Sequence, residues 1–155
     1  MKKIKCILLL ISCIMLGLPT WGQGKSADKI VGTYLVQMPK SENTAKMQIT
    51  RANNGTYRAR VVWASHMQGP SSENLADENN PDPKLRSRKV KDIDMGSGLK
   101  YKNGEWVGGK WYVVSNGKTF DMKVKLDDNG QDLKVRYYKK TPAIGMSQTW
   151  KRIGK

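Results

Sequence analysis

An all-β fold, a small antiparallel barrel of eight strands, is what this sequence predicts, and three observations carry the prediction. Apolar and polar residues alternate with period two along most of the chain, and helical spacing does not recur. Asn103-Gly104 and Asn116-Gly117, the pairs that best fit two-residue hairpins, fall between alternating runs, as do Asn53-Asn54-Gly55 and Asp127-Asp128-Asn129-Gly130. The runs are short and number eight, the pattern of barrels and sandwiches.

The chain begins with Lys2-Lys3-Ile4-Lys5, an apolar run over 6–18, and then Pro19-Thr20-Trp21-Gly22-Gln23. A positive start, an apolar middle and small residues near a cut describe a signal peptide, with cleavage expected after Gly22. The apolar run falls short of the roughly 20 residues a membrane-spanning helix needs. Leu10-Ile11-Ser12-Cys13 resembles a lipoprotein box, but apolar residues continue past it, so processing at Cys13 is not expected. The protein is therefore expected to be exported, to a periplasm or cell envelope, with 23–155 as a single domain. Cys6 and Cys13 leave with the leader, so the mature domain has no disulfide and no thiol nucleophile. With Lys2, Lys3 and Lys5 taken from the 28 basic residues and all 13 acidic ones kept, the net charge is about +12. That favours anionic partners; for an exported protein these are envelope lipids and acidic glycans, and nucleic acid is not expected.

Strands are expected near 30–38, 45–51, 56–66, 90–100, 105–114, 118–126, 132–139 and 146–153. The clearest is Lys118–Leu126, where Phe120, Met122, Val124 and Leu126 share one face and Asp121, Lys123 and Lys125 the other. Followed along all eight strands, the inward face collects Tyr34, Tyr57, Trp63, Trp111, Phe120, Tyr137 and Trp150, with Val36, Met47, Ile49, Val61, Val113, Met122, Val124, Leu133, Val135 and Met146. A barrel of eight strands is just wide enough to be filled by such side chains or to hold one small ligand. Both outcomes are open at this point.

Between the third and fourth strands runs one long segment, Met67 to Arg88, longer than ordinary hairpin loops. Its acids, Glu73, Asp77, Glu78 and Asp82, precede its bases, Lys84, Arg86 and Arg88, so its halves can pair. Asn80-Pro81-Asp82-Pro83 presets a turn whose side-chain oxygens can cap backbone amides. Asp77 and Asp82 are also oxygen donors suited to calcium, but acids alternating around a central Gly are missing, and no metal site is expected.

Asp77, Asn80-Pro81-Asp82, Leu85-Arg86 and Arg88, then Trp106-Val107-Gly108-Gly109, Gly117-Lys118-Thr119-Phe120, Leu133-Lys134-Val135-Arg136 and Gly145 with Thr149-Trp150-Lys151-Arg152 carry a resemblance. Together they resemble an exported bacterial family, domain of unknown function two-one-four-seven. The resemblance implies a lipocalin-like barrel. Gly32-Thr33-Tyr34 with Trp150 and Arg152 looks like the lipocalin closing arrangement, Tyr34 standing where lipocalins usually carry tryptophan. It implies no activity.

Catalytic groups are few. His66 is the only histidine; simple alternation puts it on the outer face with Arg58 and Arg60, opposite Ser65, which argues against a Ser–His pair. Asp92 and Asp94 share a strand face and read as solvated. Neither enzyme activity nor a cofactor is expected. The candidate ligand site is instead the barrel mouth, with Asp77, Asn80, Asp82, Arg86 and Arg88 on the loop, Arg136, and the aromatics Trp63, Trp106 and Trp111. Arginine there would hold a carboxylate or phosphate while aromatics accept an apolar tail. Alternatively, Arg86 and Arg88 pair with Asp77 and Asp82 and only pin the loop. The expected function is an exported envelope protein binding a small amphiphile or anionic lipid. The rival is a filled barrel acting through its basic outer face on proteins, glycans or lipid surfaces. Peripheral contact with a membrane fits either, with no spanning segment after processing.

Overall fold

A computed structural model describes residues 26–39, 41–66 and 75–155. The expected leader lies outside them, and so do residues 67–74 of the long loop. The strands are β1 (Gly32–Gln37), β2 (Thr44–Arg51), β3 (Tyr57–Ala64), β4 (Asp94–Lys102), β5 (Glu105–Val113), β6 (Lys118–Leu126), β7 (Leu133–Tyr138) and β8 (Gly145–Gly154). Each pairs antiparallel with the next, and β8 returns to β1, closing an eight-stranded barrel. The fold is the one expected. One boundary is corrected: 90–92 is a 3-10 turn, not strand, because the Asp92 and Ile93 amides bond back to the Lys89 and Val90 carbonyls, and β4 starts only at Asp94.

Up-and-down order sends alternate connections to opposite ends. The β2–β3, β4–β5 and β6–β7 turns share one end with the 3-10 turn Asp28–Ile30, and that end is closed. Trp106 is buried there, its indole nitrogen donating to the Ala27 carbonyl at 3.0 Å. The Tyr34 hydroxyl donates to Ile30 at 2.8 Å, and the Arg152 guanidinium lies 4.7 Å from the Tyr34 ring centroid while donating to Val31 and Lys29. Tyr34, with Trp150 at 6.3 Å between ring centroids, thus makes the closing arrangement the sequence suggested. Burial pushes the Tyr34 hydroxyl up to about 12, so it remains a donor throughout the physiological range. Trp106, Trp150, Tyr34, Tyr57, Leu99 and Ile49 fill this half; large apolar side chains each contribute about 1.5–3 kcal/mol on full burial.

Bulges set which residues face inward, and those on β5 and β3 decide where the tryptophans point. On β5 the register slips between Trp106 and Gly109, with Gly108 at φ +73°, a left-handed backbone that glycine adopts freely. The extra residue turns both Trp106 and Trp111 inward although they stand an odd number of positions apart. Gly109 must also be small, since a Cβ there would lie 2.6 Å from Leu99 Cδ2. On β3, Lys46 faces Trp63 but Met47 faces Val61, which leaves Val62 unpaired. The strand parity inverts at that point. Trp63, expected inside, therefore faces out, with Lys46 Nζ 5.3 Å from its ring centroid, and Ala64 is buried instead. Met146, also expected inside, is half exposed at the edge of the open end.

Candidate functional site: an apolar cavity under a latched loop

The upper half of the barrel is hollow because the inward positions there are small. Ala45 faces Ala64 across β2 and β3, and Val36 and Val61 stand beside them. The result is a cavity of about 800 Å³ at the open end, within the range of small-molecule sites. Trp111 and Tyr137 form its aromatic base, 5.2 Å apart between centroids, and Trp111 rests edge-on against Trp150 at 5.6 Å. Met47, Met95 and Phe120 line the wall; Met38, Pro39, Ile144 and Met146 the rim; Leu75, Ala76 and Val90 of the long loop lie over the opening. No carboxylate borders the cavity among the described residues, whereas Lys139 and His66 do. Lys139 Nζ sits 5.2 Å from the Phe120 ring centroid. Burial drives the Tyr137 hydroxyl well above its ordinary value, so it meets a ligand as a neutral group.

The loop over the mouth is built around one buried carboxylate. Asp77, fully buried, accepts from the Tyr112 hydroxyl at 2.6 Å, from Asn80 Nδ2 at 2.7 Å and from Arg88 Nε at 3.0 Å. Arg88 also lies 5.5 Å from the Tyr112 ring centroid. Burial alone would raise the Asp77 pKa, but the bonds from Tyr112, Asn80 and Arg88 outweigh it and hold the carboxyl below the usual carboxylate range. Asn80 Oδ1 accepts from the Asp82 amide, and Asp82 Oδ1 from the Lys84 amide, capping the 3-10 turn Pro83–Leu85. Asn79 reaches the Ser115 carbonyl at 3.2 Å, seating the loop on the β5–β6 turn. Gly117 is required at that seat, because a Cβ there would overlap the Asn79 carbonyl.

The candidate residues divide accordingly. Asp77, Asn80 and Arg88 come together as a latch, and Asp82 is a cap. Arg86 does not pair with Asp82; its Nε donates to the Asn80 carbonyl at 2.8 Å. Neither loop arginine is on the cavity wall. Arg136 braces the β7–β8 loop through the Pro142 and Ala143 carbonyls and Ser147 Oγ. Trp106 plugs the closed end, Trp63 is outside, and Trp111 alone of the three candidate tryptophans borders the cavity. His66, expected outside, borders it too, since the Val62 bulge reverses its parity. Asp92 sits in the 3-10 turn, while Asp94 pairs with Arg60 at 3.0 Å and does not share a strand with it. Lys139 was missed, because nothing in Lys139-Lys140-Thr141-Pro142 distinguishes a cavity lysine from a surface one.

Residues 32–152 match the family described as "Uncharacterized protein conserved in bacteria (DUF2147)". The chain belongs to the DUF2147 family. Among solved structures, this DUF2147 protein is similar to HP1028 from the human pathogen Helicobacter pylori, which is described as belonging to the lipocalin family. The two are 30% identical, with a TM-score of 0.68, over 79% of this chain and 82% of that one. No curated protein matches. The residues that carry the resemblance in the sequence, Asn80-Pro81-Asp82 with Leu85-Arg86 and Arg88, and Trp106 with Gly108-Gly109, have structural reasons here: the first group latches the loop and the second shapes β5. The lipocalin-like fold suggests ligand binding in general.

Proposed function

We propose that this protein is an exported binding protein, not an enzyme, that holds one small amphiphile with its apolar part in the barrel and its anionic end beside Lys139. The observation that carries this reading is the cavity of about 800 Å³, walled by apolar and aromatic side chains and bordered, among the described residues, by Lys139 and His66 and by no carboxylate. An apolar tail fits such walls. An anionic head meets Lys139, and the loop arginines are already engaged elsewhere in the fold. Titration with oleate is the test. The expected result is saturable one-to-one binding that changes little with salt, weakened only about two- to fivefold by Lys139→Ala, the size of one exposed charge contact. Binding that is multivalent and lost in salt would contradict it.

A second reading keeps the basic outer face as an interaction surface. On that face Lys125 stands opposite Lys134 and Lys123 opposite Arg136. Like charges directly across strands are unfavourable; Glu105 at 3.6 Å from Lys123 and Asp128 at 3.9 Å from Lys134 offset part of the repulsion. A polyanion binding there would be released as salt rises, which distinguishes it from the cavity ligand.

A further inference from the structure

Exposed apolar side chains are not spread evenly over this barrel. Of the large ones exposed among the described residues, only Ile153 lies at the closed end, whereas Val62, Trp63, Leu75, Leu85, Ile144 and Met146 stand on or beside the open-end connections. Scattered single apolar residues need no explanation, but a collection at one end of a molecule does.

The β7–β8 loop sharpens the point. Ile144 is 74% exposed, yet the loop that carries it is firmly held. Arg136 donates to the Pro142 and Ala143 carbonyls from beneath, the Ile144 amide bonds Thr141, and the Ala143 amide bonds Thr141 Oγ1. Lys140 accepts a left-handed backbone, φ +66°, which is uncommon for a non-glycine residue. A built loop that holds an isoleucine in water is unfavourable for an isolated soluble barrel. Lys139 and Lys140 sit just behind that tip, and the loop carries no acid. On β3 the bulge turns Trp63 outward beside Val62, with Lys46 against its ring. Among the described residues, the acids at this end, Glu42, Asp77, Glu78, Asp82 and Asp92, belong to the β1–β2 and β3–β4 connections.

We infer that the open end docks on an anionic phospholipid bilayer, with Ile144, Val62 and Trp63 entering the interface and Lys46, Lys139 and Lys140 contacting head groups. The chemistry fits a membrane better than a protein partner. Tryptophan prefers the head-group level, and lysines set behind an apolar fringe can extend along it and place their charges among phosphates. The surface is argued from the rim alone. That docking would also let an amphiphile pass between bilayer and cavity without crossing water rests on the cavity reading above.

Flotation with vesicles of phosphatidylglycerol and phosphatidylethanolamine tests it. The protein is expected to float with these vesicles and much less with phosphatidylcholine alone. Both Ile144→Ser combined with Lys140→Asn, in which asparagine tolerates the left-handed backbone, and Val62→Ser combined with Trp63→Ser are expected to weaken binding about tenfold. Lipids brominated along their chains should quench an emission component that Trp63→Phe removes. Absence of flotation, wild-type binding by both variants, or loss of binding only in Lys125→Asn combined with Lys134→Asn would overturn the inference. Oleate titration without vesicles, using the Val62 and Trp63 variant whose substitutions are off the cavity wall, reads the cavity separately. Failure of one reading is thereby distinguished from failure of the other.

Discussion

Asp77 shows how a single buried charge can organise a loop. Tyr112, Asn80 and Arg88 converge on it from two segments of chain, and their bonds depress its pKa. A depressed carboxyl stabilises the fold above its unfolded value near 4, and that contribution is lost as pH falls through the lower folded value. Asp77→Asn should therefore cost about 1–3 kcal/mol at neutral pH, and the two melting temperatures should converge in acid. A gap that stays constant across the acid range would show that the charge is not the stabilising feature. Gly109 makes a steric case. Gly109→Ala should cost about 1–3 kcal/mol by crowding Leu99, and combining it with Leu99→Ala should cost less than the sum of the two changes in denaturant unfolding. At this scale the sequence made the acid-then-base order of the loop visible, and Arg88 does pair with Asp77. The partner of Arg86 was not visible, because a backbone carbonyl leaves no trace in residue type.

Strands and turns were legible where alternation is clean, as along Lys118–Leu126, whose expected bounds are the observed ones. Bulges broke the reading. One extra residue at Val62 reverses every inward assignment after it, which misplaced Trp63 and His66, and no glycine marks the spot. The β5 bulge does carry Gly108-Gly109, a signal that could have shown Trp106 and Trp111 sharing one face. Val90 and Ile93 are apolar and buried whether the backbone there is strand or 3-10 turn, so the sequence does not separate the two at Val90–Asp92. The loop itself is an element held at two places, the Asp77 latch and the Asn79 seat. Gly117→Ala should disturb the seat while sparing the latch, since a Cβ has no room against Asn79 and the backbone is left-handed. Amide exchange should then speed up in the described part of the loop, 75–93, with the β6–β7 core unchanged. Equal protection in both proteins would show that the seat does not hold the loop.

For the whole molecule, the architecture divides into a filled lower half and a hollow upper half. Closure at one end by Trp106, Tyr34 and Arg152 supplies the packing, so small residues at the other end can leave space without losing the fold. The sequence left filled and hollow barrels unresolved because residue size along strands is informative only once register is known: Ala45 and Ala64 make a cavity because they face each other. The central claim is that this space receives an apolar chain. Native mass spectrometry of the protein with excess oleate, set beside Ala64→Phe, which projects a ring into the cavity, tests it most directly. A single oleate on the wild-type protein and none on a folded Ala64→Phe variant is the predicted result; no stoichiometric adduct, or the same adduct on both, would contradict it.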